Sequence, residues 1–135
     1  MINLSSIYAN PILPPKLYLG KCLDVEVKRV GDEIRCVQTL LKIGPQYDLP
    51  ARGTELTSII HVTPRSQYLL TNFYMIFRCS DDPRDAINRW GVFKMVEAQY
   101  AKTKYGLVVF ADVAPKVIRA AMSVEADEKR GKIKW

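Results

Sequence analysis

The sequence has few of the residues that carry enzyme chemistry. Its 135 residues include a single histidine, His61, and three cysteines. A lone histidine is more often a surface or hydrogen-bonded residue than a catalytic base. The motifs of zinc proteases, serine hydrolases, phosphate-binding loops and dinucleotide-binding folds are all missing from the chain. We therefore expect no enzyme, no catalytic residue and no cofactor.

Signals for metal binding, disulfides and membranes are equally scarce. Cys22, Cys36 and Cys79 are an odd, widely spaced set without a CxxC pair, which indicates reduced thiols and no metal site. No apolar run approaches the roughly 18 residues of a membrane span. The first residues, Met1–Leu4, lack the basic segment and apolar stretch of a secretory signal. We expect a cytoplasmic protein that does not contact membranes.

Positive charge is present and unevenly placed. The chain has a formal net charge of +6 and a pI near 9.3. Residues 100–135 hold eight Lys and Arg against four Asp and Glu, so this last quarter supplies +4 of the +6. Such asymmetry favours a polyanion as partner, because Lys and Arg release counterions when they neutralise phosphates. The alternative is a solvated basic surface without a partner.

The chain divides into an arm, a core domain and a C-terminal segment. Residues 1–16 contain Pro11, Pro14 and Pro15, which predict an extended arm because proline has no N–H for a ladder or helix. The arm carries apolar residues able to dock on its own domain or on a neighbouring subunit: Leu4, Ile7, Tyr8, Ile12 and Leu13. We expect one domain over 17–113 and a C-terminal helix with a basic tail over 114–135.

Alternating apolar residues predict three strands after the arm. The first has Leu17, Leu19, Leu23, Val25 and Val27 on one face. Gly31 and Asp32 predict a tight hairpin to a second strand, with Val37, Thr39, Leu41 and Ile43 on one face. After the loop residues 44–53, a third strand contains Leu56, Ile60 and Val62.

A helix is predicted next, although its segment also suits a strand. Thr63 and Pro64 resemble a capped helix start, and Leu69, Phe73, Ile76 and Phe77 form a stripe at helical spacing. Residues 68–77 are also rich in aromatics, which favour strands. The acidic cluster Asp81, Asp82 and Asp85 beside Pro83 predicts helix capping and not a metal site. Residues 92–100 and 105–113 predict two further strands joined by a basic loop, and Pro115 starts the last helix.

Three strands, a helix and two strands resemble the oligonucleotide/oligosaccharide-binding (OB) fold, a mainly β, five-stranded Greek-key barrel. The resemblance covers roughly residues 17–113 and depends on the order of elements. Small bacterial and phage single-stranded-DNA-binding proteins have this barrel followed by a tail, and the chain is similar to them in size. It departs from the best-known bacterial examples at its end, Lys-Ile-Lys-Trp, where theirs is acidic.

The resemblance implies a binding surface on strands two and three and on the loops between strands one and two and between strands four and five. Phosphate-binding cations and stacking rings are the expected contacts. The candidate contact residues are Arg35, Lys42, Tyr47, Arg52, Lys102, Lys104 and Tyr105. Lys102-Thr103-Lys104-Tyr105 is the sharpest of these features, although a solvated turn whose tyrosine packs on its own barrel fits it too. Tyr47 fits a stacking or a packing role.

The resemblance thus implies a protein that binds single-stranded nucleic acid, most readily DNA. A second hypothesis is a structural, protein-binding subunit that oligomerises through the arm and strand five. Strand five is apolar on both faces, at Leu107 to Phe110, and such a strand must be covered twice. The two hypotheses are compatible in a homo-oligomer.

Overall fold

The chain folds into a mainly β structure with one five-stranded antiparallel sheet and two α-helices. A computed structural model describes residue 2 and residues 4–135. The strands are β1 (Leu17–Val30), β2 (Glu33–Ile43), β3 (Glu55–His61), β4 (Trp90–Tyr100) and β5 (Thr103–Val109). The helices are α1 (Gln67–Phe77) and α2 (Pro115–Lys129), with 3-10 helices at Leu4–Ala9 and Pro83–Ala86.

The sheet has the strand order β3-β2-β1-β4-β5, and α1 lies between β3 and β4 along the chain. The predicted order of three strands, a helix and two strands is therefore confirmed. The expected barrel is not closed, because β3 and β5, both fully described, form no ladder with each other. Residues of the N-terminal arm lie between these two strands instead.

The first strand does not bury the leucine face that its alternation predicts. Tyr18 and Cys22 are buried in the main core, whereas Leu17 is 41% exposed. The pairing of β1 with β2 shifts between Cys22 and Asp24, and such a β-bulge moves the alternation by one residue. Val25 therefore joins the core after the bulge, as predicted.

Helix α1 is a helix and not a strand, but it begins later than predicted. It starts at Gln67, three residues after Pro64. Residues 63–66 form a turn instead, because the Ser66 hydroxyl accepts a hydrogen bond from the Thr63 N–H (2.9 Å) and donates one to the His61 carbonyl. The buried stripe is Leu70, Phe73, Ile76 and Phe77, so Leu70 takes the place predicted for Leu69.

Two carboxylates fasten α2 to the start of β4. Glu125 accepts hydrogen bonds from the Trp90 N–H (2.8 Å) and from Arg78 (2.6 Å). Glu128 accepts one from the Trp90 indole N–H at 3.1 Å. Trp90 and Ala121 are fully buried in the small apolar cluster between these elements. Helix α2 thereby covers the face of the sheet opposite the main core.

The N-terminal arm docks on its own sheet. The Ile2 N–H donates to a Glu26 carboxylate oxygen of β1 at 2.7 Å, and the Ser6 hydroxyl lies 2.7 Å from that of Thr57 in β3. Ile7 and Leu13 are buried. The predicted arm also includes residues 1 and 3 and the side chain of Leu4, which lie outside the described part of the chain.

Candidate nucleic-acid interface

The β4–β5 hairpin extends beyond the rest of the sheet. In the paired strands, Lys94 lies opposite Val109 at one end and Tyr100 lies opposite Thr103 at the other, which leaves a turn of two residues. The pairing of β1 with β4 ends at Leu17, which lies opposite Lys94. Beyond Met95, whose N–H still bonds to the Lys16 carbonyl, the residues of β4 pair with β5 and not with β1, and the hairpin tip is open to solvent.

Three tyrosines cluster on this hairpin. Alternation along the paired strands places Tyr100 and Tyr105 on the same face. Tyr8 of the arm stacks on Tyr100, with ring centroids 4.8 Å apart and planes 22° apart. It also contacts Tyr105 edge-on at 5.1 Å. Tyr100 is 61% exposed and Tyr8 is 40% exposed, so the cluster presents aromatic surface to solvent.

Three lysines lie on the same hairpin as the tyrosine cluster. Lys102 lies in the turn and Lys104 on the face opposite Tyr100 and Tyr105; both are exposed, and within the described residues neither forms a salt bridge. Lys94 is exposed and shares the tyrosine face, six residues before Tyr100. The hairpin therefore offers stacking surface and positive charge together.

The β2–β3 loop, with predicted contacts Tyr47 and Arg52, emerges from the same end of the sheet as the hairpin tip. Arg52 is exposed. The Tyr47 ring packs against the core, and its hydroxyl accepts a hydrogen bond from the Leu19 N–H at 2.7 Å. Burial raises the Tyr47 pKa above 10.0, and the bond to Leu19 opposes this. These are the contacts of a packing residue.

Arg35 and Lys42 have partners within the chain. Arg35 is next to the β1–β2 turn, at the opposite end of the sheet, where its guanidinium lies 2.9 Å from the Glu33 carboxylate. The Lys42 ammonium lies 4.4 Å from the ring centroid of Trp135. The structure thus brings together Lys102, Lys104 and Tyr105 but not the full predicted set.

The outer face of β2 and β3, which the OB resemblance implies as binding surface, is largely covered. Gln38 and Thr57 on this face are buried, at 2% and 5% exposure. The arm bonds to Thr57 through Ser6 and to Glu26, the cross-strand neighbour of Gln38, through Ile2. The hairpin tip, by contrast, is exposed from Tyr100 to Lys104.

The sequence interpretation did not include Tyr8, Tyr100 or Lys94 in the site. Tyr100 and Tyr105 flank the predicted loop, and their shared face follows once the two-residue turn fixes the register. The position of Lys94 on the tyrosine face follows from the same alternation along β4. Tyr8 has no such signal, because an irregular arm has no periodicity from which its position can be inferred.

The thiols have the properties of packed side chains. Burial raises the pKa of Cys22 to about 12 and that of Cys79 to about 11, so both are protonated at neutral pH. Across the described residues, no three His, Cys, Asp or Glu side chains are grouped to hold a metal ion. The helices in that part of the chain are too short or too polar to span a membrane.

Comparison of the chain with protein-family models, with curated proteins and with solved structures finds no match. Its function must therefore be inferred from the geometry of its own residues.

Proposed function

We propose that this protein binds single-stranded nucleic acid on the β4–β5 hairpin. The observation that carries the proposal is the partly exposed tyrosine cluster of Tyr8, Tyr100 and Tyr105 on the same hairpin as the exposed cations Lys102 and Lys104. Proteins that hold single strands without reading sequence combine stacking rings with positive charge along the backbone path. The bases of a duplex are already stacked on each other, so the cluster favours a single strand.

The cations and rings have separate roles in this mechanism. Lys102 and Lys104 attract backbone phosphates and release counterions, which supplies affinity that falls with salt. Arg52 is exposed on the β2–β3 loop, and we include it as a secondary phosphate contact. Tyr100 is the most exposed residue of the cluster, and we assign the first stacked base to the face of its ring that Tyr8 leaves open. DNA is the proposed ligand, with RNA as the comparison in the titration.

We also propose that the fold is a variant of the OB-fold. The strand order β3-β2-β1-β4-β5, with a helix between β3 and β4, supports this assignment. In the OB-fold the same five strands form a partly open barrel. Here Asn10 takes the position between β3 and β5 where a closed barrel has strand pairing.

A titration of a fluorescein-labelled 20-nucleotide DNA, followed by fluorescence anisotropy, tests the function. We expect the single strand to bind more tightly than its duplex. Tyr100→Ala should weaken binding about tenfold, since one stacked base contributes roughly 1–3 kcal/mol. Tyr68→Ala is the matched control, because Tyr68 has the same 61% exposure but lies on α1. No binding at low salt, or equal losses in both variants, would refute the proposal.

A further inference from the structure

Asn10 joins the two unpaired edges of the sheet. Its side-chain amide donates to the carbonyls of Thr57 in β3 (2.8 Å) and Gly106 in β5 (3.0 Å). Its side-chain oxygen accepts from the Thr57 N–H, and its backbone carbonyl accepts from the Gly106 N–H, both at 3.0 Å. Asn10 is 6% exposed. Unpaired edge groups need partners, and this one residue supplies four hydrogen bonds.

The same anchor lies next to Tyr8 in the arm. Tyr8 is two residues before Asn10, and its ring contacts both Tyr100 and Tyr105. On the other side of the anchor, the Pro11 carbonyl approaches Gly106 so closely that a Cβ there would lie 2.1 Å from its oxygen. The arm is thus held against β5 on both sides of Asn10.

We infer that Asn10 is a positioning residue of the binding site: by joining β3 to β5, it holds Tyr8 within the tyrosine cluster. The inference depends on the proposed function. It implies a site built from two distant segments of the chain, the arm and the hairpin. It also implies that ligand binding and arm docking reinforce each other, because coupling between two equilibria is reciprocal.

A double-mutant cycle tests whether Asn10 acts through Tyr8. Asn10→Ala and Tyr8→Ala should each weaken single-strand binding about tenfold, the effect of one stacked ring. The double variant should bind about as weakly as either single variant, and the dependence of affinity on salt should not change. Asn72→Ala is the matched control, because the Asn72 amide also donates to a backbone carbonyl, that of Phe110 at 2.9 Å, away from the arm. Losses that multiply in the double variant would overturn the inference.

Hydrogen exchange gives a second test, and its main measurement uses the wild-type protein, so it does not depend on whether a variant folds. The Thr57 and Gly106 amides, both bonded to Asn10, should exchange several-fold more slowly when the 20-nucleotide DNA is bound. In Tyr8→Ala, whose changed side chain is partly exposed, bound DNA should have little effect on these two amides. Unchanged exchange in the wild type despite DNA binding would overturn the inference. Absence of DNA binding would instead refute the proposed function, while slow exchange in the free protein would still establish the anchor.

Gly106→Ala should displace the arm although no residue of the arm is changed. The added methyl would collide with the Pro11 carbonyl and with the end of the Met95 side chain, 2.9 Å away. We expect the affinity for the single strand to fall as in Tyr8→Ala, with Tyr8 and Asn10 both intact. Wild-type affinity in a variant whose Thr57 amide exchanges rapidly would contradict the inference.

Discussion

At the scale of single residues, backbone conformation at the hairpin tips determines part of the stability. Ala101, in the β4–β5 turn, has a φ of 53°. The left-handed region is unfavourable for residues with a Cβ, by roughly 1–2 kcal/mol. Gly31, in the β1–β2 turn, has a φ of 61°, and nothing lies within 4 Å of where its Cβ would be. Both turn positions have a left-handed backbone, but one is occupied by alanine and the other by glycine. Exchanging the two residue types should therefore change stability in opposite directions at the two positions.

We predict that Ala101→Gly stabilises the protein by about 0.5–1 kcal/mol. The strain that is relieved exceeds the extra unfolded-state entropy of glycine, which is about 0.4–1 kcal/mol. Urea unfolding followed by circular dichroism measures the change. Gly31→Ala should destabilise the protein by a similar amount, about 0.5–1 kcal/mol, because the same strain is introduced and the same unfolded-state entropy partly offsets it. A neutral or negative effect of Ala101→Gly would show that the turn does not hold this backbone conformation.

Tyr47 is the residue for which packing and ligand binding give opposite expectations. Tyr47→Phe removes the hydroxyl that accepts the Leu19 N–H bond, and an unsatisfied buried donor costs roughly 1–3 kcal/mol. The ring needed for base stacking remains. We predict lower stability in urea unfolding and unchanged affinity for the single strand. Tyr47→Ala should likewise spare affinity once its folded fraction is taken into account; a tenfold loss would make Tyr47 a ligand contact.

At the scale of elements, α2 and the last residues form one docked unit. The Trp135 ring stacks on Trp90, with centroids 5.1 Å and planes 18° apart, and its indole N–H donates to Glu128 at 3.2 Å. The Lys21 ammonium lies 3.1 Å from the Glu128 carboxylate. Burial raises the pKa of Glu128, but hydrogen bonds from Trp90, Lys21 and Trp135 outweigh burial and bring it below 4.5.

This pKa gives docking of the tail a defined dependence on pH. A carboxylate whose folded-state pKa is lowered stabilises the fold above its unfolded-state pKa, and that stabilisation disappears as the pH falls through the folded-state value. Trp90 and Trp135 are the two tryptophans of the chain, so their stack should give an exciton couplet in circular dichroism. We predict that the couplet is constant above pH 5 and decreases below pH 4. Trp135→Phe should abolish it at every pH, and Glu128→Gln should remove most of the pH dependence. A couplet constant to pH 2 would contradict this account.

Period-two alternation was sufficient to predict five strands in the right order, with one face of β2 and β3 in the core. It was wrong for the start of β1, because the bulge after Cys22 is set by the pairing with β2. The capping signal at Thr63 and Pro64 placed the start of α1 too early, because the Ser66 hydroxyl forms a turn that competes with capping by Thr63. At the site, the sequence predicted Lys102, Lys104 and Tyr105, whereas Tyr8 reaches them through long-range hydrogen bonds that leave no local pattern.

At the scale of the whole molecule, the net charge of +6 is divided between surfaces with and without partners. In the basic C-terminal segment, Arg130 lies 3.6 Å from Asp127, and the tail folds back so that Trp135 reaches Lys42 of β2. Lys102 and Lys104 at the hairpin tip, in contrast, are exposed and, in the described part of the chain, form no ion pair. Lys116 and Arg119 of α2 are exposed as well, so the tyrosine cluster beside Lys102 and Lys104, more than charge alone, is what marks the hairpin as the proposed interface.

The salt dependence of single-strand binding, compared between two charge-matched variants, tests the central claim most directly. Lys102→Ala/Lys104→Ala and Lys116→Ala/Arg119→Ala each remove two positive charges, the second pair from the exposed surface of α2. We predict that the hairpin variant loses affinity and that its slope of log affinity against log salt becomes shallower by about 1.4, since each phosphate contact on a single strand contributes about 0.7. The α2 variant should keep the wild-type slope. Equal slopes in both variants and the wild type, or no binding by the wild type at low salt, would contradict the proposal that the hairpin is a nucleic-acid interface.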